Sequence, residues 1–296
     1  MLQQTRVAAV IPYYERFLAL FPTLEALAQA PEVELLRAWS GLGYYSRARN
    51  LQAAAKQMDG VFPDDYDGVN SLAGVGEYTA AAVASIAFGL PHAAVDGNVL
   101  RVLTRVMSDF GDISSPATRR RLAAEAQRLL EPEQPGAFNQ AMMELGATVC
   151  LPRNPRCLLC PVENLCVGRQ SGHQNELPVK AQRVQPVKQE RTLLIIERKG
   201  ALLLWQRTAR DEKLHGFWEL PEPEQLPKAI QGVKLGSFRH SIMNHNYVFH
   251  VVPATVLRKP RALQWLTLGE RKSLPLSTTC RKALRLHTSI LGEDGI

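Results

Sequence analysis

Apolar positions recur at helical spacing through residues 2–20, 31–39, 45–58, 77–90, 97–108, 117–130 and 137–149. Turn signals separate these stretches: "GLGYY", "MDGVFPDDYDG", "LAGVGEY" and "VDGN". Strand-like alternation is almost absent before residue 150 and no solenoid repeat occurs, so this half is expected to be all-α. In the opening stretch Leu2, Val7, Val10, Ile11 and Tyr14 make the apolar stripe, with no N-cap residue ahead of it. From 168 to 189 the pattern dissolves into polar, Pro-containing sequence, expected to be an extended linker. After residue 190 the texture changes again. "RTLLIIER" and "ALLLWQR" are short apolar runs separated by "KG", a hairpin signal. "VKLGSF", "YVFHVVPATVL" and "LQWLTL" add strands, and "LSTTCRKALRLHTSIL" reads as a closing helix. The fold class expected is therefore multi-domain: an all-α domain over 1–167, a linker over 168–189 and an α+β domain over 190–296.

Composition narrows the class. The chain has 296 residues, 46% of them apolar, enough for two cores. No run approaches a membrane span and no secretory or lipidation signal is present, so a soluble, cytosolic monomer without membrane contact is expected. The net charge of +7 is unevenly placed. Residues 1–180 hold 16 Lys and Arg against 18 Asp and Glu, and residues 181–296 hold 19 against 10. A basic chain favours a nucleic-acid partner. A near-neutral first half would have to grip it through backbone amides or helix dipoles.

Three local patterns carry chemistry. "CLPRNPRCLLCPVENLC" places Cys150, Cys157, Cys160 and Cys166 within 17 residues, and Cys280 stands apart. An odd count without a signal peptide argues for a metal centre over disulfides. Structural zinc favours two separated Cys-x2-Cys pairs. Here one pair is flanked by longer arcs, which suits a [4Fe–4S] cubane, although spacing alone leaves zinc open. "LAGVGEYTAAAVASIAFG" sets Gly74 and Gly76 before a helix whose first turn holds Glu77, Tyr78 and Thr79. Amides exposed there form an anion site; an ordinary glycine-capped turn between helices is the competing interpretation. In "AVDGNVLRVLTRV", Asp96 begins a helix, so it is either an N-cap or a carboxylate held near a bound nucleotide.

Hairpin, aspartate and cysteine quartet, in that order, resemble the endonuclease III superfamily of base-excision DNA glycosylases, whose iron–sulfur loop has this cysteine spacing. Bifunctional members carry a Schiff-base lysine where this chain has Tyr78 in "GVGEYT". "VDGN", "MLQQTRV" and "GLGYYSRARNL" are similar to the MutY-type adenine glycosylase branch. That resemblance implies a helix-hairpin-helix glycosylase domain with an iron–sulfur loop. The substrate would be double-stranded DNA in which adenine is mispaired with 8-oxoguanine or guanine. It also implies roles. Asp96 would face the cationic sugar, and Tyr78 and Asn98 would position groups around it. Gln3 and Gln4 would wedge beside the extruded base, and Tyr44 would intercalate next to the oxidised guanine. Amides around Gly74, Gly76 and Thr79 would hold a phosphate, and the four cysteines the [4Fe–4S] cluster. Tyr44 and Tyr45 could instead be core aromatics, and Gln3 and Gln4 a solvated helix face.

Residues 190–290 resemble the Nudix-like domain of the same branch. The Nudix metal box is absent, since "EPEQLPKAIQGVK" follows "GFWELP", so pyrophosphate hydrolysis is disfavoured. In "RHSIMNHNYVF", His240, Ser241 and Asn244 are the candidates for reading oxidised guanine, while Met243 offers no hydroxyl. The branch also places its general-acid glutamate two positions before the methionine numbered 1 here. The chain as numbered is therefore expected to be impaired relative to a longer parent. Two other functions compete: a lyase-active glycosylase for oxidised pyrimidines, which Tyr78 opposes, and a non-catalytic lesion-binding protein.

Overall fold

The computed structural model describes residues 1, 7–181, 187–208, 214–242 and 244–291. Gln3, Gln4 and Met243 lie outside the described residues. The chain divides into two compact units, Gln57–Arg183 and Met1–Lys56 with Val184–Ile296. The division does not follow the order of the chain, because the first four helices group with the C-terminal strands.

The helices α1 (Val7–Leu20), α2 (Leu24–Gln29), α3 (Glu32–Trp39) and α4 (Ser46–Met58) open the chain. They are followed by α5 (Tyr66–Ser71), α6 (Glu77–Phe88), α7 (Gly97–Met107), α8 (Pro116–Leu129), α9 (Pro135–Thr148) and the short α10 (Val167–Gln170). Every helical stretch expected from periodicity is present. Besides the four-residue α10, two helices of this stretch escaped it, α2 and α5. Each has six residues, and each buries a single apolar side chain, Leu27 or Val69, so neither shows a stripe. Both are set instead by N-caps: Thr23 accepts from the Ala26 amide at 3.1 Å and Asp65 from the Gly68 amide at 2.8 Å.

In α1 only Val10 of the described members of the expected stripe is buried. Val10 and Phe17 are buried, with Phe17 edge-on to Trp39 at 5.8 Å, whereas Val7, Ile11 and Tyr14 are exposed. Spacing shows that a helix has an apolar stripe; neighbouring aromatics decide which residues it covers.

The core of the helical unit gathers on α7. Val99, Leu100 and Leu103 pack with Ile113, Leu122 and Ala126. Asn139, 2% exposed, links α9 to the chain ahead of α7: its Nδ2 donates to Ser85 Oγ and His92 O, both at 2.8 Å, and its Oδ1 accepts from Ala94 N at 3.0 Å.

The other unit holds the strands β1 (Val187–Ile195), β2 (Glu197–Arg198), β3 (Ala201–Gln206), β4 (Trp218–Glu219), β5 (Ile230–Gln231), β6 (Gly236–Ile242), β7 (His245–Thr255) and β8 (Leu263–Leu266). Two helices close it, α11 (Leu268–Ser273) and α12 (Thr278–Leu291). One sheet runs β1-β7-β5 with β6 also on β7; the other runs β2-β3-β4 with β8 on β3. The expected hairpin forms only at its tip, where β2 meets β3 across Lys199 and Gly200, both at positive φ. The long part of β1 pairs in parallel with β7 instead. Its unbroken apolar run is explained by burial on both faces: Leu193 and Ile195 join one core with α12 residues Cys280 and Ala283, while Leu194 and Ile196 join another with Leu203 and Val252.

The expected linker is partly structured. Its first residues complete α10, Leu177 is 2% exposed, and β1 begins at Val187. Among the described residues no helix is long and apolar enough to cross a membrane.

Leu203 has no exposed surface. Leu203→Ala is expected to lower the unfolding free energy by about 2–5 kcal/mol through the lost transfer energy and the cavity left behind. Urea denaturation followed by circular dichroism checks this, and a loss below about 1 kcal/mol contradicts the packing described.

Candidate functional site

The site is built on two helix N-termini in the Gln57–Arg183 unit. The first belongs to the hairpin. Leu72 to Gly76 connect α5 to α6, and Gly74 takes φ +75°, a conformation that a Cβ disfavours. Val75 N donates to Leu72 O at 3.0 Å, and Ala73 N to Gln57 Oε1 at 2.7 Å, so the turn is braced from α4. Gly76 is the N-cap of α6 and offers no side chain to its amides. Among the described residues no protein acceptor takes the amide of Gly74 or Gly76. The first turn of α6, with Thr79 half-buried in it, therefore presents open N–H groups and a positive dipole end.

The second N-terminus carries Asp96. Its Oδ1 accepts from the amides of Asn98 and Val99, both at 2.8 Å, which is an N-cap. A cap needs only one oxygen. Here Oδ2 is also held, by Asn98 Nδ2 at 3.0 Å. Asn98 is held in turn: its Oδ1 accepts from Arg101 Nη2 at 2.8 Å. Arg101, 8% exposed, spends its other donors on Gly146 O at 2.7 Å and Cys150 O at 2.8 Å. The carboxylate thus has a fixed rotamer, backed by a relay that ends on the first residue of the cysteine loop.

Tyr78, on the first turn of α6, is 37% exposed and donates its hydroxyl to Met143 Sδ at 3.1 Å. Burial and then the negative charge of Asp96 push the Tyr78 hydroxyl above its ordinary pKa, which keeps it a hydrogen-bond donor at neutral pH. Asn98 thus holds Asp96 directly, and Tyr78 lies close enough to feel its charge.

The cysteines also converge. Cys150, Cys157, Cys160 and Cys166 line one recess together with Arg105 and Arg169. Burial, and then the charges of Cys150 and Cys166, push the Cys157 thiol up, against the pull of Arg105 and Arg169. Arg105, 1% exposed, stitches the loop to α7, donating to Cys150 Sγ at 3.3 Å, Leu151 O at 2.7 Å, Pro152 O at 3.3 Å and Leu177 O at 3.0 Å. Among the described residues no three His, Cys, Asp or Glu side chains are set to hold a single metal ion.

Arg101, Arg105 and Gly146 were missed from sequence. The available signal was "NVLRVLTRV", in which two arginines four apart interrupt an apolar helix and must share one face.

The remaining candidates belong to the other unit. Tyr44 is 59% exposed and Tyr45 only 6%, so the two tyrosines divide: Tyr45 is the core aromatic and Tyr44 is not. Arg47 lies over the Tyr44 ring at 5.1 Å. His240 and Ser241 sit on β6 opposite Tyr247 and Asn246 of β7. Ser241 Oγ donates to Asn246 Oδ1 at 2.7 Å, and Asn244 is exposed in the connecting turn. Burial, reinforced by Lys282, pushes the His240 imidazole down, so it is neutral at pH 7.

The glycine hairpin, the braced aspartate and the cysteine loop anchored on the helix that follows it stand in the order that the resemblance to helix-hairpin-helix DNA glycosylases implied. Comparison with known proteins agrees. Residues 1–131 match the HhH-GPD superfamily base excision DNA repair protein family. A thermostable thymine-DNA glycosylase superposes with a TM-score of 0.52 at 27% identity, over 57% of this chain and 80% of that one. An endonuclease III in a non-covalent DNA complex gives 0.50 at 28% identity, over 57% and 79%. The adenine DNA glycosylase of Mus musculus is 35% identical over 97% of this chain and 70% of its own length. That of Homo sapiens is 36% identical over 97% of this chain, which spans 66% of the human protein. The chain belongs to the adenine DNA glycosylase family.

A Cβ at Gly146 would stand 2.6 Å from Asn98 Cβ. Gly146→Ala is therefore expected to cost about 1–3 kcal/mol of stability by overpacking, measured by urea denaturation. A neutral effect would show that the contact between α9 and the start of α7 is looser than described.

Proposed function

We propose that this protein hydrolyses the N-glycosidic bond of adenine mispaired with 8-oxoguanine or guanine in double-stranded DNA, without cleaving the strand. The observation that carries this is the double restraint on Asp96. A helix cap leaves one carboxylate oxygen free to swing, whereas here both are held and Asn98 is itself locked by Arg101.

The target adenine must leave the stack to be reached, at a cost of a few kcal/mol. The open amides around Gly74, Gly76 and Thr79 support a grip on the backbone phosphate of the extruded nucleotide. That suits a chain whose first 180 residues carry no net positive charge. Bond breaking passes through an oxocarbenium-like sugar, as in glycoside hydrolysis. A carboxylate fixed against its face stabilises the developing charge without reorganising. Tyr78 and Asn98 shape that environment: the first as a neutral donor, the second as the brace on Asp96. With no lysine at position 78, no imine forms and the strand stays intact. Tyr44, exposed and held in a left-handed conformation, is assigned to intercalation beside the oxidised guanine, and Gln3 and Gln4 to the wedge beside the extruded base. The β6–β7 tip, with His240, Ser241 and Asn244, is assigned to reading that guanine in a Nudix-like domain.

The four cysteines fit a [4Fe–4S] cluster: they line one recess, and Arg105 and Arg169 stand beside them to offset the charge that thiolate ligands would carry. When bound, the cluster pins the loop onto which Arg101 and Arg105 fold; no step of the hydrolysis passes through it.

Asp96→Asn keeps the shape and removes the charge. In single-turnover assays on a duplex holding adenine opposite 8-oxoguanine, it is expected to slow adenine release about 10²–10³-fold; equal rates for the variant and the parent would overturn the assignment. Protein purified without oxygen should contain about four irons per chain, and Cys157→Ser should lose them. Stoichiometric zinc in their place would exclude the cubane.

A further inference from the structure

Tyr44 stands in a short loop, residues 40–45, between α3 and α4. Its φ of +48° is uncommon for a residue with a Cβ, so something must hold it there. Ser40, 4% exposed, ends α3 with φ −63° and ψ 118°, which turns its carbonyl out of the helix. Arg281, from the first turns of α12, grips that residue with both nitrogens of its fork: Nη1 donates to Ser40 O at 3.3 Å and Nη2 to Ser40 Oγ. Ser40 Oγ donates onward to Leu276 O at 3.3 Å. At the far end of the loop, Tyr45 lays its ring against Phe217, which has no exposed surface, at 4.1 Å between centroids. Within the loop, Trp39 Nε1 donates to Gly43 O at 3.1 Å, and Gly41 N to the Tyr45 hydroxyl at 3.4 Å. Residues 236 and 241 positions away in sequence therefore set how the loop begins, and a buried phenylalanine sets how it ends.

From this geometry we propose that Arg281 is a positioning residue for Tyr44. The C-terminal domain holds the loop so that the Tyr44 ring projects from it ready to enter a base stack. This rests on the assignment of Tyr44 to intercalation. An arginine suits the task because its planar fork spans the carbonyl and the hydroxyl of one residue, which fixes both the chain direction and the side-chain rotamer. A single ammonium cannot do both. Lesion reading on β6–β7 and insertion of Tyr44 would then depend on the same domain, so losing the Arg281 contact would weaken recognition of the oxidised guanine strand and leave Asp96 chemistry untouched.

The test uses the full chain and a duplex with 2-aminopurine next to 8-oxoguanine, placed opposite 2′-fluoro-2′-deoxyadenosine, whose glycosidic bond resists cleavage. Fluorescence reports unstacking at the inserted ring, and titration gives the dissociation constant. Tyr44→Ala should abolish the fluorescence rise. Arg281→Ala should reduce it and weaken binding about tenfold, and the double variant should be no worse than Tyr44→Ala alone. Arg281→Lys should recover part of the signal. Ser40→Ala, which keeps the carbonyl contact, should lose less than Arg281→Ala and serves if Arg281→Ala folds poorly. Single-turnover adenine release at saturating protein should be unchanged in Arg281→Ala while its KM rises. If Tyr44→Ala impairs unstacking and neither Arg281→Ala nor Ser40→Ala does, the latch is wrong and the intercalation stands. If Tyr44→Ala changes nothing, the intercalation fails and the latch loses its purpose. Additive losses in the double variant also overturn the proposal.

Discussion

Two guanidinium groups buried on one helix hold the helical unit together. Arg101 and Arg105 lie on the same face of α7, and neither can shed its charge. Buried and unpaired, each would cost several kcal/mol. Among the described residues neither forms an ion pair with a carboxylate; they donate mainly to the backbone carbonyls of Gly146, Cys150, Leu151, Pro152 and Leu177. The irregular cysteine loop is thus made to follow α7 closely, because that is where its carbonyls find donors. Arg101 also ties the loop to the start of the helix, where Asn98 steadies Asp96. Loop, helix and carboxylate form one hydrogen-bonded body, and changing any one of them disturbs the others.

Around that body the helices are fitted by small residues. Ala80, Ala81 and Ala84 make up much of the buried face of α6, and Gly136 and Gly146 leave room for close approach by α9. Close approach brings the Tyr78 ring from α6 onto Met143 of α9 and within reach of the Asp96 field. In the glycine turn before α6, the amides of Gly74 and Gly76 meet no protein acceptor among the described residues and stay open to an anion. In the proposed function this arrangement replaces the positive patch that a near-neutral half of the chain does not have.

The second unit solves a different problem. Its central strands are apolar on both faces and must be covered twice, by α12 on one side and by Leu203, Leu226 and Leu263 on the other. The first helices of the chain join this unit through Ser40, Tyr45 and Arg49, whose guanidinium donates to the His215 carbonyl. A loop that lies early in sequence is thereby shaped by residues near the end of the chain.

The sequence alone determined whatever depends on spacing within a few residues. It placed the long helices, the glycine turn, the cap at Asp96, the cysteine quartet and the change from helical to strand texture near residue 190. The order of those motifs was enough to suggest the family. Short helices without a stripe, α2 and α5, stayed hidden because capping, not periodicity, defines them. The tertiary structure decided everything that depends on a distant partner. The backbone carbonyls that accept from Arg101 and Arg105 lie 45 to 72 residues away, β1 passes over its nearest neighbour to pair with β7, and the split between Tyr44 and Tyr45 depends on Phe217. Local pattern records which residues must be buried or bonded. Only the folded chain supplies the groups that bury and bond them.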